Sequence, residues 1–155
     1  MAETVFERLN GHLSKAGVPF DVLRHEPVYT SEHAARVRGT PLASGAKALV
    51  CKLDDSMVMF VIPADRKLAS REIRRQFAVK SLRFADREEV LAATGLAPGS
   101  IPPFGSLFNL PTYCDTRLAD QPKINFNAGD HAISISLAYA DYLTVEQPQL
   151  GNFAE

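Results

Sequence analysis

The sequence predicts an α+β fold, mixed in the order of its elements, with a curved and mainly antiparallel sheet surrounded by helices. Three observations carry this. Strand-like segments cluster in hairpins, and helical segments come before and between them without a regular β-α-β alternation. No Gly-x-Gly-x-x-Gly or Gly-x-x-x-x-Gly-Lys-Ser/Thr loop is present, which disfavours a doubly wound nucleotide-binding fold. The 155 residues (17.0 kDa), 46% hydrophobic with nine Phe and no Trp, suit one domain spanning 1–155. A chain of this size buries about 70% of its unfolded surface, so disorder is excluded.

In chain order, residues 3–16 set Val5, Phe6, Leu9 and Leu13 on one helical face, with Gly17 and Pro19 as stop signals. His12 beside that face reads as a structural histidine. Phe20 to Arg24 reads as a short strand, and Thr30 or Ser31 caps a helix over 31–38 closed by Gly39. Runs 46–53 and 57–63 flank Asp54-Asp55-Ser56 and form a hairpin; Pro63 ends it. Residues 68–77 form a basic helix with Leu68, Ile73 and Phe77 turned inward, followed by a strand at 81–84. Asp86 three residues before Glu89 is capping-box spacing for a helix over 87–94, stopped by Gly95. Two glycines and three prolines within 98–105 exclude regular structure there. Short strands are expected at 106–109, 112–115, 124–127 and 131–137, the last two joined by the turn Asn127-Ala128-Gly129-Asp130.

Composition narrows the function. The longest apolar run, Met57 to Ala64, is far shorter than the roughly 20 residues a membrane helix needs, and Met1-Ala2-Glu3-Thr4 lacks a leader pattern. A cytoplasmic protein that does not engage membranes is expected. Cys51 and Cys114 make no disulfide framework, and neither has a metal-ligand neighbour, so both are expected reduced and half-buried. His12, His25, His33 and His131 form no His-Glu-x-x-His set, and Gly105-Ser106 lacks a Gly-x-Ser-x-Gly elbow. No metal, cofactor or serine nucleophile is expected. The net charge of −1 excludes a generally cationic protein, but segment 65–83 holds seven basic residues against two acidic ones, net +5, leaving −6 elsewhere. Such a patch suits one polyanionic segment; a solvated helix face is the alternative.

Two features suggest chemistry. Period-2 alternation puts Lys47 on the face of Leu49, Cys51 and Leu53, where an ammonium either lines a cleft or snorkels to the strand edge. The loop around Gly99 fixes backbone N–H groups in space, able to bind a carbonyl or oxyanion without a nucleophile, or to serve only as a rigid turn.

Taken in order, Thr30-Ser31-Glu32-His33-Ala34-Ala35, Ala46-Lys47-Ala48-Leu49-Val50, Val61-Ile62-Pro63-Ala64-Asp65, Thr94-Gly95, Gly99-Ser100-Ile101-Pro102-Pro103-Phe104-Gly105, Asp115 and Phe126-Asn127-Ala128-Gly129 resemble the YbaK/EbsC family. This family is the freestanding relative of the editing domain inserted in bacterial prolyl-tRNA synthetases, and the resemblance covers roughly residues 20–143. It implies hydrolysis of a small amino acid (Ser, Thr, Cys or Ala) wrongly esterified to tRNA, with aminoacylated tRNA and an aminoacyl-tRNA synthetase as partners and no cofactor.

By the same resemblance Lys47 and the loop Gly99, Ser100, Ile101, Pro102 and Pro103 carry catalysis. Thr30, Ser31, Asp115, Asn127 and Gly129 bind substrate, although Thr30 or Ser31 is equally a helix cap and Asp115 equally a turn residue. From the charge of segment 65–83 rather than from the resemblance, Arg71, Arg74, Arg75 and Lys80 are expected to contact tRNA phosphates. Alanine-selective members carry His in an Asn-Phe-His sequence where this chain has Asn125-Phe126-Asn127, so Asn127 is expected to read a polar side chain. Two other readings compete: a noncatalytic tRNA- or synthetase-binding module, and a Cys-tRNA(Pro) deacylase in which the substrate thiol attacks.

Overall fold

The apolar run Met57–Ala64 supplies the middle of a five-stranded sheet because β3 (Ser56–Pro63) is covered on both faces, the reason it reads as continuous rather than alternating. The computed structural model of the chain describes residues 3–155; Met1 and Ala2, part of the segment read as lacking a leader, lie outside the described residues. β3 pairs antiparallel with β2 (Ala46–Leu53) through a two-residue turn in which Asp54 takes φ +51°, a conformation that Asp tolerates. β4 (Leu82–Phe84) borders β2, while β5 (Thr112–Asp115) and β8 (Gln149–Gly151) extend the other side in parallel, giving the order β4-β2-β3-β5-β8. A second, antiparallel sheet has the order β1-β7-β6, from Phe20–Arg24, Ile133–Ala138 and Lys123–Asn127.

Two cores follow from this layering. One lies between the sheets, where α1 (Val5–Ala16) contributes Leu9 and Leu13, α4 (Arg87–Thr94) contributes Val90 and α5 (Tyr139–Glu146) contributes Tyr142 around Met59, Val61, Phe126 and Ile135. The other lies beneath α3 (Ser70–Phe77), where Ile73 meets Cys51, Phe60, Ile62 and Phe153. The α1 cap is a capping box of Thr4 and Glu7, and that of α4 is the expected pair Asp86 and Glu89. His12 is exposed, not structural. Both cysteines are buried outright rather than half-buried. Among the described residues, no helix is long and apolar enough to cross a membrane.

Three expectations are corrected. Residues 106–109 are not a strand. A 3-10 turn at Gly105–Phe108 replaces it, because Ser106 bonds Glu146 through both its N–H and its hydroxyl while the Gly105 N–H donates to Thr112 Oγ1 at 3.0 Å. The basic helix starts at Ser70, since Leu68 bridges Ala154 and the Ala69 N–H donates to the Phe153 carbonyl. Helix α5 and strand β8 have no counterpart in the sequence reading. α5 lacks a side-chain N-cap and is held by tertiary packing, with the buried Tyr142 hydroxyl donating to the Pro103 carbonyl at 2.7 Å.

Asp115, expected at the substrate site, is fully buried at the base of the C-terminal segment. Its carboxylate accepts from the backbone N–H groups of Arg117, Phe153 and Ala154 at 2.7–2.8 Å. It therefore locks residues 153–154 over the second core. Asp115→Asn replaces an acceptor by an NH2 group facing donors, and should lower unfolding free energy by about 2–4 kcal/mol, read as a reduced denaturant midpoint at unchanged slope. A midpoint within error of the native one refutes the role. The Glu89 carboxyl is held near pKa 2 by its hydrogen bonds from Arg83 and from the Asp86 backbone. Because the folded value lies below the ordinary 4.5, its stabilisation is complete above about pH 4.5 and disappears as pH falls toward 2. Glu89→Gln should flatten acid unfolding in that window.

Candidate active site

The two sheets meet at one point, a parallel bridge between Gly45 and Asn125, and a cleft of about 150 Å³ opens there. A Cβ at Gly45 would stand 2.8 Å from Ala64 Cβ, so only glycine lets the chain pass. One wall is α2 (Ser31–Arg38), started by the Thr30 hydroxyl accepting from the His33 N–H and stopped by Gly39 at φ +69°. A 3-10 turn, Leu42–Ser44, leads into β2 and brings Lys47 to the opening. The floor is β6, with Asn125 and Asn127, and the opposite lip is Gly99 and Ile101. Tyr29, 75% exposed, stacks on His131 at the rim with ring centroids 4.7 Å apart.

Of the residues expected from sequence, Lys47, Gly99, Ile101, Thr30, Ser31 and Asn127 line this cleft. Lys47 Nζ has one protein acceptor within reach, the Arg66 carbonyl at 3.4 Å, which ties the cleft to the start of the basic segment. The N–H groups of Gly99 and Ile101 have no acceptor among the described residues. Ser100, Pro102 and Pro103 support the loop from behind: the Ser100 hydroxyl donates to the Ala97 carbonyl at 2.8 Å, and the Pro103 carbonyl accepts from Tyr142. Gly129 also sits behind the loop. Its N–H donates to the Ser100 carbonyl at 2.8 Å, and a Cβ there would meet Val5 Cβ at 3.1 Å. Asp115 is in the structural position already described. Arg71, Arg74, Arg75 and Lys80 are exposed on α3 and just beyond it, but Arg75 is already paired with Glu72 at 2.7 Å.

The residue that the sequence reading missed is Arg38, at the C-terminal end of α2. Its Nε donates to Ser134 Oγ at 2.8 Å and its Nη2 to Asn127 Oδ1 at 3.0 Å. His25 Nδ1 faces the Glu26 carbonyl at 2.7 Å and must carry the proton. Nε2 meets the Ser134 hydroxyl, also at 2.7 Å, while Ser134 Oγ accepts from Arg38. Asn127, its oxygen fixed by Arg38, donates Nδ2 to the Gly99 carbonyl at 2.8 Å. One guanidinium therefore sets the direction of both hydrogen-bond chains and anchors the loop. A cation in the last turn of a helix is commonplace, and no local signal separates Arg38 from Arg36. Asn125, also missed, donates to Ser44 Oγ at 2.9 Å and holds the 3-10 turn; its period-2 relation to Asn127 was the available clue.

Electrostatically the cleft is cationic, and neither cysteine lines it. Burial lowers the Arg38 pKa to about 10, still fully charged near neutrality, and no carboxylate among the described residues lies within ion-pair distance. Burial pushes the thiols of Cys51 and Cys114 up to about 12, so neither supplies a thiolate. Among the described residues, no group of three His, Cys, Asp or Glu side chains could hold a metal ion.

The fold and cleft thus define an α+β domain whose two sheets frame a cleft lined by Arg38, Lys47 and a Gly-Pro loop. A model of the aminoacyl-tRNA editing domain matches residues 25–145, and the chain belongs to that family. It is 36% identical over 152 residues to the multifunctional Ser/Thr-tRNA deacylase ProXp-y of Escherichia coli (strain K12), covering 95% of this chain and 91% of that protein. It is 32% identical over 128 residues to a proline–tRNA ligase of Shouchella clausii (strain KSM-K16), covering 76% of this chain and 22% of the ligase. A solved structure described as a candidate trans-editing enzyme for prolyl-tRNA synthetase superposes with a TM-score of 0.84 at 24% identity, over 100% of this chain and 99% of that one, and shares the fold. The resemblance read from the sequence motifs is confirmed.

Proposed function

We propose that this chain is a trans-acting aminoacyl-tRNA deacylase that hydrolyses the ester of Ser or Thr wrongly attached to tRNA. The observation that carries the reading is one cleft holding Lys47 and, from the loop, Gly99 and Ile101, whose N–H groups have no acceptor among the described residues, in a chain whose relative is a Ser/Thr-tRNA deacylase. An aminoacyl ester is intrinsically reactive, so a positioned water and donors for the oxyanion suffice. Water adds to the ester carbonyl, the Gly99 and Ile101 N–H groups receive the developing negative charge, and the bond to the ribose oxygen breaks. The water's proton ends on that oxygen, releasing free amino acid and tRNA. Lys47, with only one weak protein contact, orients the terminal nucleotide through its ribose or phosphate. Thr30 and Ser31 offer hydroxyls at the mouth.

The tRNA body is proposed to follow the basic segment that begins where Lys47 reaches Arg66. Arg71, Arg74 and Lys80 are exposed there with no carboxylate partner among the described residues, whereas Arg75 is committed to Glu72. An aminoacyl-tRNA synthetase that mischarges tRNA supplies the substrate.

Two measurements test this reading. The native protein should release Ser and Thr from mischarged tRNA, and Lys47→Ala should reduce the rate at least 100-fold. Its melting temperature should stay near or above the native value, because truncating a half-buried lysine also removes a desolvation cost. Full activity of the variant eliminates Lys47 from the mechanism. Replacing Arg71 and Arg74 together by Ala should reduce the slope of log affinity for tRNA against log salt by about one to two units, and Arg75→Ala should change it less. An unchanged slope in the double variant returns α3 to the status of a solvated helix.

A further inference from the structure

We propose that Arg38 is the specificity-determining residue of the cleft, donating its Nη1 to the side-chain hydroxyl of the bound seryl or threonyl group. The inference rests on the deacylase reading and goes beyond it by naming the atom that recognises the amino acid. Arg38 has five donor hydrogens, and its Nε and Nη2 serve Ser134 and Asn127. Nη1 has no protein acceptor, yet no buried side-chain nitrogen or oxygen among the described residues is left unpartnered. Nη1 is therefore reached by solvent, and Arg38 lines the cleft beside Gly45, where a Cβ would stand 4.0 Å from Nη1.

The chemistry of the substrate selects what meets this donor. Its α-ammonium is repelled by the guanidinium and must point away. Arg38 shares the cleft with the small residues Ala34, Ala35 and Gly45, which suit a short side chain better than a nucleotide. A hydroxyl oxygen replaces the water lost from Nη1, whereas a methyl group leaves a charged donor unpaired. A site built to hydrogen-bond a hydroxyl discriminates strongly against the analogue lacking one. Asn127, which the sequence suggested as the reader, has both ends of its amide engaged and serves as the brace that carries Arg38's position to Gly99.

The test uses non-hydrolysable probes, seryl and alanyl amides of 3′-amino-3′-deoxyadenosine, with affinities measured by calorimetry alongside turnover of Ser- and Ala-tRNA. Native protein should bind the seryl amide about 10- to 100-fold tighter than the alanyl amide. In Arg38→Met that ratio should fall to about one, and Arg38→Lys, which keeps the charge but not the fork, should recover only part of it. Equal affinity of the native protein for the two probes overturns the proposal without need of any variant, as does a ratio retained in Arg38→Met. A variant that weakens both probes equally makes Arg38 a brace only and also overturns it. A seryl preference without turnover of either tRNA leaves Arg38 as the reader and refutes the deacylase reading instead.

Discussion

The contact between Gly45 and Asn125 is the constraint on which the site depends. It is the bridge joining the three-stranded and five-stranded sheets, and the cleft exists because the strands diverge on leaving it. A Cβ at Gly45 would press on Ala64, just past the end of β3, and on the Leu42 carbonyl of the 3-10 turn that leads into β2. Lys47 stands two residues along one strand from the bridge and Asn127 two residues along the other, so cation and amide are set by strand geometry rather than by loop conformation. Sites built on regular elements hold their geometry more tightly than sites on loops.

The mobile-looking part of such a cleft, its Gly-Pro loop, is tied down from both sides. Asn127 holds the Gly99 carbonyl, Gly129 holds the Ser100 carbonyl and Tyr142 holds the Pro103 carbonyl. Gly99 and Ile101 line the cleft, and their N–H groups have no acceptor among the described residues. Preorganised donors stabilise developing negative charge without reorganising, which is consistent with a hydrolase cleft that no cysteine lines and, among the described residues, a chain with no set of metal ligands.

Charge is distributed to match a bipartite ligand. The cleft carries Arg38 and Lys47, and the surface leading away from it carries the exposed cations of α3, while the rest of the chain is acidic. On the proposed reading, an ester linking a small amino acid to a polyanion would present its ester carbonyl to the first and its phosphates to the second.

The sequence by itself determined the local elements and much of the site. Capping boxes, glycine stops, the Asp54-Asp55 turn and the unbroken apolar β3 are short-range signals, and they placed α1, α2, α4 and the central hairpin, whereas α3, with neither a side-chain cap nor a glycine stop, was legible from its apolar positions alone. Lys47 was legible because a charge on an apolar strand face needs a destination, and the Gly99 loop because its glycines and prolines forbid regular structure. Tertiary structure alone decided α5 and β8, which have no cap and form only because Tyr142 and the parallel partner β5 receive them. It also separated Asp115, spent on backbone donors 38 and 39 residues away, from the cleft that the motif order suggested. Arg38 shows the limit most clearly. Its partners Asn127 and Ser134 lie 89 and 96 residues downstream, and no periodicity or spacing encodes a hydrogen bond over that separation until the two sheets have closed around it.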